Sequence, residues 1–524
     1  MIPRRGLALL ATFLLPVLLA VPARGKVVLL GVDGASWNVI DPLVTAGELP
    51  NFAALLARGA SADLATVEPV LSPVVWTSIA TGVAPEIHGI SSFLTSRFDL
   101  RVPTVFDRLA AAGVRVGLYE YLVTWPPASL PGGFVIPDWL RRDDSTWPPD
   151  VWARAGVVPY RVDRDVAVEP ERLAEDLLEE VARKPEIWLR LAERFEPQVG
   201  AMGIYAVDGA SHRFWREAYP DGAGGPPAEG SVLRRLMREL DRALGKVAAA
   251  IGPGDVLLVF SDHGFQAGEP HSVWVGRTRP RLVPAGLDPG RDHFTLIREW
   301  GAIAVRVHPG PFEARDAVLT RLEEFYGSLR DAAGAPLYNV VVLDAVERPR
   351  GRERPLLNRL RQLAYRGLAR WRFGVRFEEA AHGWLVALPE EETLARLWPD
   401  GPVSLAGETL PAHQVVFREA FDGDHHPTAV FIAAGGPLRK QPQRRALSVL
   451  DLAPLLFYLA DQPIPDDLEG ELPRDWIDPA YLAAHPPRGV AAAEAPGLAS
   501  SPAAPAAGVD DAMLERLRAL GYVD

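Results

Sequence analysis

Short, continuous apolar runs alternate along this chain with segments whose apolar residues recur every three to four positions. Residues 26–32, 200–207 and 256–260 are such runs, and each is typical of a strand buried on both faces. Residues 169–195 and 231–251 have the spacing of amphipathic helices. The repeated alternation predicts an α/β fold, in which helices cover both faces of a mostly parallel central sheet.

Other segments follow the same two patterns. Helices are predicted at 50–58, 104–112, 312–326, 356–371 and 447–459, and strands at 62–67, 114–119, 302–307, 339–343, 384–388 and 428–433. Residues 126–160 are rich in Pro and Trp and lack a clear period, so we expect an irregular excursion over the catalytic face. We interpret 269–421 as an inserted α+β subdomain, within a catalytic domain that spans 24–475.

The two ends differ from this globular pattern. Residues 1–23 read as a signal peptide, with Arg4 and Arg5 before an apolar run and small residues at Val21-Pro22-Ala23. An uncleaved anchor is the alternative, but the run is shorter than the roughly 20 residues of a spanning helix. We therefore expect an exported, periplasmic or secreted protein with no transmembrane segment in its mature chain. Residues 476–509 read as a Pro/Ala-rich linker, and 510–524 as a short helix.

The amino-acid composition limits the kinds of catalytic and metal sites that the chain can form. The 524 residues are 48% hydrophobic, which describes a globular protein, and they carry a net charge of −12 without a basic block. This balance argues against binding to duplex nucleic acid. Because the chain has no Cys, a disulfide, a thiolate metal site and a Cys nucleophile are excluded. Metal ligands must then come from His, Asp and Glu.

Acidic and His residues stand at or near the ends of several predicted strands: Asp33, Asp208 with His212, Asp262 with His263, and His425. Each has an ordinary structural alternative, as a cap, a turn former, a surface pair or a polar loop. The spacing of Asp208 and His212 places both on one helical face. Since all of these positions meet one sheet, we predict that they share a metal centre.

Ser72 is followed by Pro73, a pair that predicts a helix beginning with Ser72 as its N-cap and Pro73 at the first position. A hydroxyl there lies beside free N–H groups that favour an anion such as phosphate. The alternative, that Ser72 only caps the helix, is compatible with a catalytic role.

Taken in order, the motifs resemble those of a known family. They are Val32-Asp33-Gly34, Ala80-Thr81-Gly82 with Pro85-Glu86-Ile87-His88-Gly89, Asp208-Gly209-Ala210-Ser211-His212, Ser261-Asp262-His263-Gly264 and Gly423-Asp424-His425. This combination resembles the type I phosphodiesterase/nucleotide pyrophosphatase family of the alkaline-phosphatase-like superfamily. The resemblance implies a three-layer α/β/α sandwich of alkaline-phosphatase-like topology.

The resemblance also implies a site with two divalent metal ions, usually Zn²⁺, with Mn²⁺ as an alternative. It assigns Asp33, Asp262 and His263, together with Ser72, to one metal, and assigns the second metal to Asp208, His212 and His425. Ser72 matches the family nucleophile, which would become phosphorylated; Thr77 is the second choice. His88 is expected to have a structural role. The implied substrate is a small-molecule, lipid or glycan phosphoester.

Some positions depart from the family pattern. Pro73, Val74 and Val75 follow Ser72, where nucleotide pyrophosphatases usually have an Asn that contacts phosphate, so nucleotide specificity stays open. A sulfatase is disfavoured, because there is no Cys and no Arg follows Ser72 at the required distance. A phosphotransferase that passes its group from Ser72 to a lipid or glycan, and a binding protein that only keeps the fold, are the alternatives to a hydrolase.

Overall fold

The computed structural model describes residues 25–91, 93, 95–140, 144–160, 170–222, 224–288, 292, 294–299, 302–307, 312–343, 383–405 and 407–492. Predictions that concern the signal peptide at 1–23, the helix at 356–371 and the helix at 510–524 lie outside these residues.

Strands and helices alternate through the first half of the chain, as predicted. The strands are β1 (Val27–Val32), β2 (Ala60–Ala65), β3 (Val116–Tyr119), β4 (Phe134–Ile136), β5 (Val199–Ile204), β6 (Val256–Phe260), β7 (Gly264–Gly276), β8 (Phe294–Glu299), β9 (Ala302–Val307), β10 (Arg330–Asp331), β11 (Tyr338–Leu343), β12 (Gly383–Pro389), β13 (Pro402–Leu405), β14 (Glu408–Pro411), β15 (Val416–His426), β16 (Thr428–Gly435), β17 (Arg445–Ser448), β18 (Ile464–Pro465) and β19 (Gly489–Val490). The α-helices are α1 (Trp37–Thr45), α2 (Pro50–Arg58), α3 (Ser72–Thr81), α4 (Pro85–His88), α5 (Val105–Ala111), α6 (Val151–Ala155), α7 (Pro170–Phe195), α8 (Ala206–Ala218), α9 (Val232–Ala249), α10 (Arg279–Leu282), α11 (Phe312–Gly327), α12 (Glu391–Leu397), α13 (Leu452–Leu459) and α14 (Pro479–Ala484).

The central sheet has eight strands in the order β17-β2-β16-β6-β1-β5-β3-β4. Every pairing is parallel except those of β16, which runs antiparallel to both β2 and β6. Successive residues of β1 enter opposite cores, Leu29 on one face and Leu30 on the other. Helices α3, α5 and α13 cover the first face, and α2, α7 and α9 cover the second. The predicted three-layer α/β/α fold with a mostly parallel sheet is confirmed.

The inserted subdomain joins the sheet through a two-stranded antiparallel ribbon, β7 with β15. Beyond the ribbon lie a four-stranded sheet, β11-β12-β9-β8, a three-stranded sheet and a separate hydrophobic core. The strands predicted at 302–307, 339–343 and 384–388 correspond to β9, β11 and β12. The ribbon extends the insertion beyond the predicted 269–421, because pairing already begins at Gly264 and ends at His426.

Three other predicted segments contain an element that was not expected there. The excursion at 126–160 contributes the edge strand β4 and the short helix α6, because Phe134–Ile136 pairs with β3. The strand predicted at 200–207 ends at Ile204, and α8 begins at Ala206. The helix predicted from 447 starts at Leu452, since Arg445–Ser448 pairs with β2 as a strand.

The described part of the predicted 476–509 linker is structured. Trp476 is fully buried and stacks on Phe431 of β16, and α14 follows it. Apolar packing therefore ties residues 476–492 to the main domain, which a Pro/Ala-rich composition alone does not predict. Across the described ranges, no helix combines the length and the apolar character that crossing a bilayer requires.

Candidate metal centre

Three adjacent strands, β5, β1 and β6, bring the predicted acids to one edge of the sheet. Asp33 follows β1 directly, and Asp262 follows β6 after one residue. Asp208 lies in the first turn of α8 rather than at the end of β5. The backbone joins these three loops, because the Asp208 N–H donates to the Asp33 carbonyl (3.1 Å) and the Gly34 N–H donates to Asp262 Oδ1 (3.3 Å).

One group of side chains surrounds His263. Its Nε2 atom is 3.4 Å from Asp33 Oδ1 and 3.3 Å from Asp262 Oδ2. Ser72 Oγ lies 3.4 Å from the same oxygen of Asp33, to which it donates. All four side chains are buried. The structure therefore brings together the four residues predicted for the first metal.

A second group surrounds Asp208. Its Oδ1 atom is 3.3 Å from Nε2 of His212 and 3.6 Å from Nε2 of His425. The prediction that Asp208 and His212 share a helical face is confirmed. His425 belongs to strand β15, paired with Phe265, and not to a loop before the last strand. The ribbon of the inserted subdomain thus delivers one member of this group.

The two groups adjoin, and Asp208 reaches both. Its Oδ1 atom is 4.0 Å from His263 Nε2. By the convergence of their ligand atoms, Asp208, His212 and His425 form one candidate metal group, and Asp33, Asp208 and His263 form another. The second set contains Asp208 where the resemblance implies Asp262, so Asp208 belongs to both candidate groups.

Backbone carbonyls orient all three imidazole rings. The Nδ1 atoms of His212, His263 and His425 lie 3.2, 3.1 and 2.9 Å from the carbonyl oxygens of Gly423, Gly264 and Val70. Because a carbonyl only accepts, each Nδ1 carries a proton, and the neutral ring then presents the lone pair of Nε2 to the carboxylates. This is the ring orientation of metal-ligating histidines.

The buried polar atoms at the centre fit a divalent cation. Asp208 Oδ1, Asp262 Oδ2 and His263 Nε2 are buried and make no hydrogen bond. Leaving such atoms unsatisfied is costly, and a shared cation would satisfy all three. Imidazole nitrogens with carboxylate oxygens form a ligand set suited to Zn²⁺ and also open to Mn²⁺.

Burial and neighbouring charges shift the pKa values of these groups in opposite directions. Burial, reinforced by Asp208, raises the pKa of Asp262 to about 6. Burial alone would also raise the pKa of Asp208, but His212 and His425 hold it well below its usual range. Burial lowers the pKa of His263, and His425 adds to that effect. Burial opposes protonation of His425 as well, yet Asp208 raises its pKa overall.

The remaining predicted residues surround the start of helix α3. Ser72 is the first helical residue, and Leu71 is the N-cap, so Ser72 is not the cap that its pairing with Pro73 predicted. Its hydroxyl is oriented toward Asp33 instead. Thr77, the second choice for nucleophile, donates to the Pro73 carbonyl at 2.6 Å. It also lines a small, mostly apolar cavity with Tyr121 and Leu130.

His88 stabilises the turn after α3. The backbone N–H of Ile90 donates to its Nδ1 atom (3.1 Å), so Nε2 carries the proton that is donated to Ser78 Oγ (2.9 Å). The ring is fully buried, and burial, together with Arg101, lowers the pKa of His88 to about 3.

Asp422 and Gly423, which precede His425, have contacts that the sequence did not predict. Asp422 accepts hydrogen bonds from the backbone N–H groups of Trp215 (2.9 Å) and Arg216 (3.2 Å), next to a kink of α8 at Phe214. A Cβ atom at Gly423 would lie 2.0 Å from the Ser211 carbonyl oxygen. The ribbon is thereby docked against the helix that carries Asp208 and His212. The Gly423-Asp424-His425 motif contained this glycine but did not show what it contacts.

The sequence matches the family model of type I phosphodiesterase / nucleotide pyrophosphatase over residues 27–346, more than half of the chain. The chain belongs to this family. Its members are metal-dependent phosphoester hydrolases, so the predicted enzyme class is confirmed at that level. A search of curated proteins gives no match.

Solved structures with a similar fold include a phosphonoacetate hydrolase from Sinorhizobium meliloti 1021 in complex with phosphonoformate. That protein is 16% identical, and the alignment covers 84% of this chain and 95% of the other, with a TM-score of 0.39. Murine ectonucleotide pyrophosphatase / phosphodiesterase 5 is 16% identical over 86% of this chain and 100% of its own, also with a TM-score of 0.39. The human protein of the same name is 16% identical over 83% and 95%, with a TM-score of 0.37.

Proposed function

We propose that this protein is a two-metal hydrolase of phosphoric esters that acts through a covalent phosphoserine at Ser72. The observation that carries the proposal is the convergence of two Asp/His groups beside one buried hydroxyl. Four predicted positions at or near strand ends and a helix start, far apart in sequence, supply this set. A purely structural role does not account for three buried polar atoms at its centre without hydrogen bonds.

Residues Asp33, Asp262 and His263 would hold one divalent ion, and Asp208, His212 and His425 the other. When bound, such a pair supplies Lewis-acid chemistry: it lowers the pKa of a hydroxyl or a water and stabilises negative charge on phosphoryl oxygens. We propose Zn²⁺ as the native ion, because the donor set consists of imidazoles and carboxylates. Metal analysis of protein purified without added metal tests this choice.

In the first step, the Ser72 hydroxyl releases its proton to solvent and Oγ attacks phosphorus. A bond forms between Oγ and phosphorus, the bond from phosphorus to the leaving-group oxygen breaks, and that oxygen departs with the bonding electron pair. Asp33 Oδ1 is the acceptor of the Ser72 hydroxyl and orients it before attack. In the second step, the oxygen of a water molecule bonds to phosphorus, the bond from phosphorus to Oγ breaks, and a proton from that water restores the Ser72 hydroxyl.

Replacing the nucleophile tests this sequence of bonds. We expect Ser72→Ala to lose at least about a thousandfold in kcat toward bis-p-nitrophenyl phosphate while it binds both metals, because the covalent route needs the oxygen. The matched control is Thr77→Ala, on the same helix, which should stay within about threefold of the wild type. Quenched wild-type reactions should yield a peptide phosphorylated at Ser72. Near-normal turnover of Ser72→Ala would disprove the assignment.

We also propose that the protein is exported, on the residue pattern of 1–23 described above. The mass of the mature N-terminal peptide tests this: cleavage after Ala23 supports export by a signal peptide, and an intact residue 1–23 segment contradicts cleavage.

A further inference from the structure

A cation with two carboxylates is buried between helix α7 and the central sheet, outside the metal centre. Lys184 is 3% exposed, Glu180 is fully buried and Glu120 is 6% exposed. The Lys184 ammonium lies 2.7 Å from Glu120 Oε2 and 2.8 Å from Glu180 Oε1. We call these three residues the buried ion triad.

The buried ion triad is not explained by stability alone. Desolvating two carboxylates and an ammonium is expensive, and apolar replacements of buried ion pairs are often neutral or stabilising. A role in fixing local geometry is the better-attested reason for such groups.

Each contact of the triad leads to the junction between β5 and α8. Lys184 donates to the Gly203 carbonyl (2.9 Å), and Glu180 accepts from the Tyr205 backbone N–H (2.9 Å). Glu120, in a left-handed conformation with φ of 52°, accepts at its carbonyl from the Tyr205 hydroxyl. The Lys184 ammonium also lies 4.8 Å from the centre of the Tyr205 ring.

Tyr205 is the N-cap residue of α8, so the triad fixes the point at which this helix begins. Asp208 and His212 follow within the next two turns of α8. The Tyr205 ring also packs against Trp76 of helix α3, with ring centres 5.4 Å apart. No side chain of the triad is among the candidate ligands, so any effect on them must pass through the helix start.

We propose that the buried ion triad is a positioning device that sets the first turn of α8, and with it the affinity of the Asp208-His212-His425 group for its metal. The proposal rests on the two-metal function above. Replacing residues that orient metal ligands without contacting the metal typically weakens metal binding by about 10–100-fold. The triad acts through Tyr205 on the helix that supplies two of three ligands to one metal and is expected to have the same kind of effect.

The test compares metal binding of three purified full-length proteins by titration with Zn²⁺ after dialysis against chelator. Lys184→Met alone would leave two buried carboxylates without their cation and is prone to misfold. The informative variant is therefore Glu120→Gln/Lys184→Met/Glu180→Gln, which removes all three charges and nearly preserves shape. The matched control is Glu186→Gln/Lys246→Met, which removes an exposed ion pair between α7 and α9 (2.9 Å).

We expect the wild type and the control to bind two Zn²⁺ ions alike. The triad variant should bind the ion of the Asp208-His212-His425 group at least about tenfold more weakly, with kcat reduced while the circular dichroism of the folded protein is retained. Its affinity for the other ion should fall less, because that group shares Asp208 with α8 but not His212. Equal affinity for both ions in the triad variant would overturn the inference. Equal loss of both ions would overturn it too, as a general structural effect. A wild type that binds fewer than two ions would instead refute the proposed two-metal function.

Discussion

The Nε2 atoms of His212 and His425 lie 3.0 Å apart, although one belongs to a helix of the main domain and the other to the ribbon of the inserted subdomain. Both rings use Nδ1–H to bind a carbonyl, so two lone pairs face each other when both rings are neutral. A bound cation would relieve this repulsion. A proton on one of the rings would also relieve it, and Asp208 raises the pKa of His425.

Removing metal should therefore destabilise the folded protein. We expect chelator to lower the thermal midpoint and Zn²⁺ to restore it, by an amount equivalent to about 3–4 kcal/mol at 100 to 1,000 times the dissociation constant. Differential scanning calorimetry on the same sample before and after chelation measures the effect. An unchanged midpoint would mean that the converging side chains do not bind metal.

Asp208 and Asp262 should differ in how many ions they control. Asp208 lies within reach of both groups, whereas Asp262 contacts His263. We expect Asp208→Asn to lose both ions and Asp262→Asn to lose one, as measured by the metal-to-protein ratio after gel filtration. The control is Asp150→Asn, an exposed carboxylate paired with Arg154 (2.9 Å) outside the metal centre, which should keep both ions. If Asp208→Asn and Asp262→Asn lost the same number of ions, Asp208 would not take part in both groups.

Metal affinity should rise with pH. Burial raises the pKa of Asp262 to about 6, and Asp208 raises that of His425, so protons compete with metal at both groups in the metal-free protein. We expect hydrolysis to fall as pH drops below about 6 and to recover when Zn²⁺ is increased at constant pH. Activity lost in acid that added metal does not restore would point to a different titrating group.

Adding one methyl group at Gly423 should disrupt the docking of the ribbon. The new Cβ atom would meet the Ser211 carbonyl oxygen at 2.0 Å, a backbone atom that has little freedom to move. We expect Gly423→Ala to cost about 1–3 kcal/mol in the free energy of unfolding, and to reduce activity through displacement of His425. Gly327→Ala, where no atom lies within 4 Å of the added Cβ, should be neutral. Urea titrations of both variants measure the difference.

His88 should make the protein less stable in mild acid. Its folded pKa is about 3 and its ordinary value is 6.5, so between these values the unfolded chain binds more protons. The contribution of neutral His88 is fully present above pH 6.5 and is lost as pH falls, by up to about 1.4 kcal/mol per pH unit. We expect urea midpoints of His88→Gln, measured in chelator, to depend less on pH from 6.5 to 4.5 than those of the wild type. Parallel slopes would contradict the burial effect.

The positions of the candidate ligands were easier to predict from sequence than the elements that hold them in place. Asp33 and Asp262 follow apolar runs, and parallel strands bring their carboxyl ends to one edge, so pattern and topology together predicted that the two residues lie close together. The strand that carries His425 was missed because it lacks a continuous apolar run, since its buried positions are interrupted by exposed and half-buried ones. Lys184 and Glu180 have the i,i+4 spacing of an ordinary surface pair, and only the fold shows that this face of α7 is buried.

The ribbon also has a consequence for how the protein can vary. Gly276 and Val416, at its far end, are paired neighbours, so the chain leaves and re-enters at one place. The segment between these two positions can therefore vary in length and sequence, while the two chain ends that the main domain must connect stay the same distance apart. The inserted subdomain can thus be exchanged as a unit, while the end of the ribbon nearest the main domain keeps His425 in register.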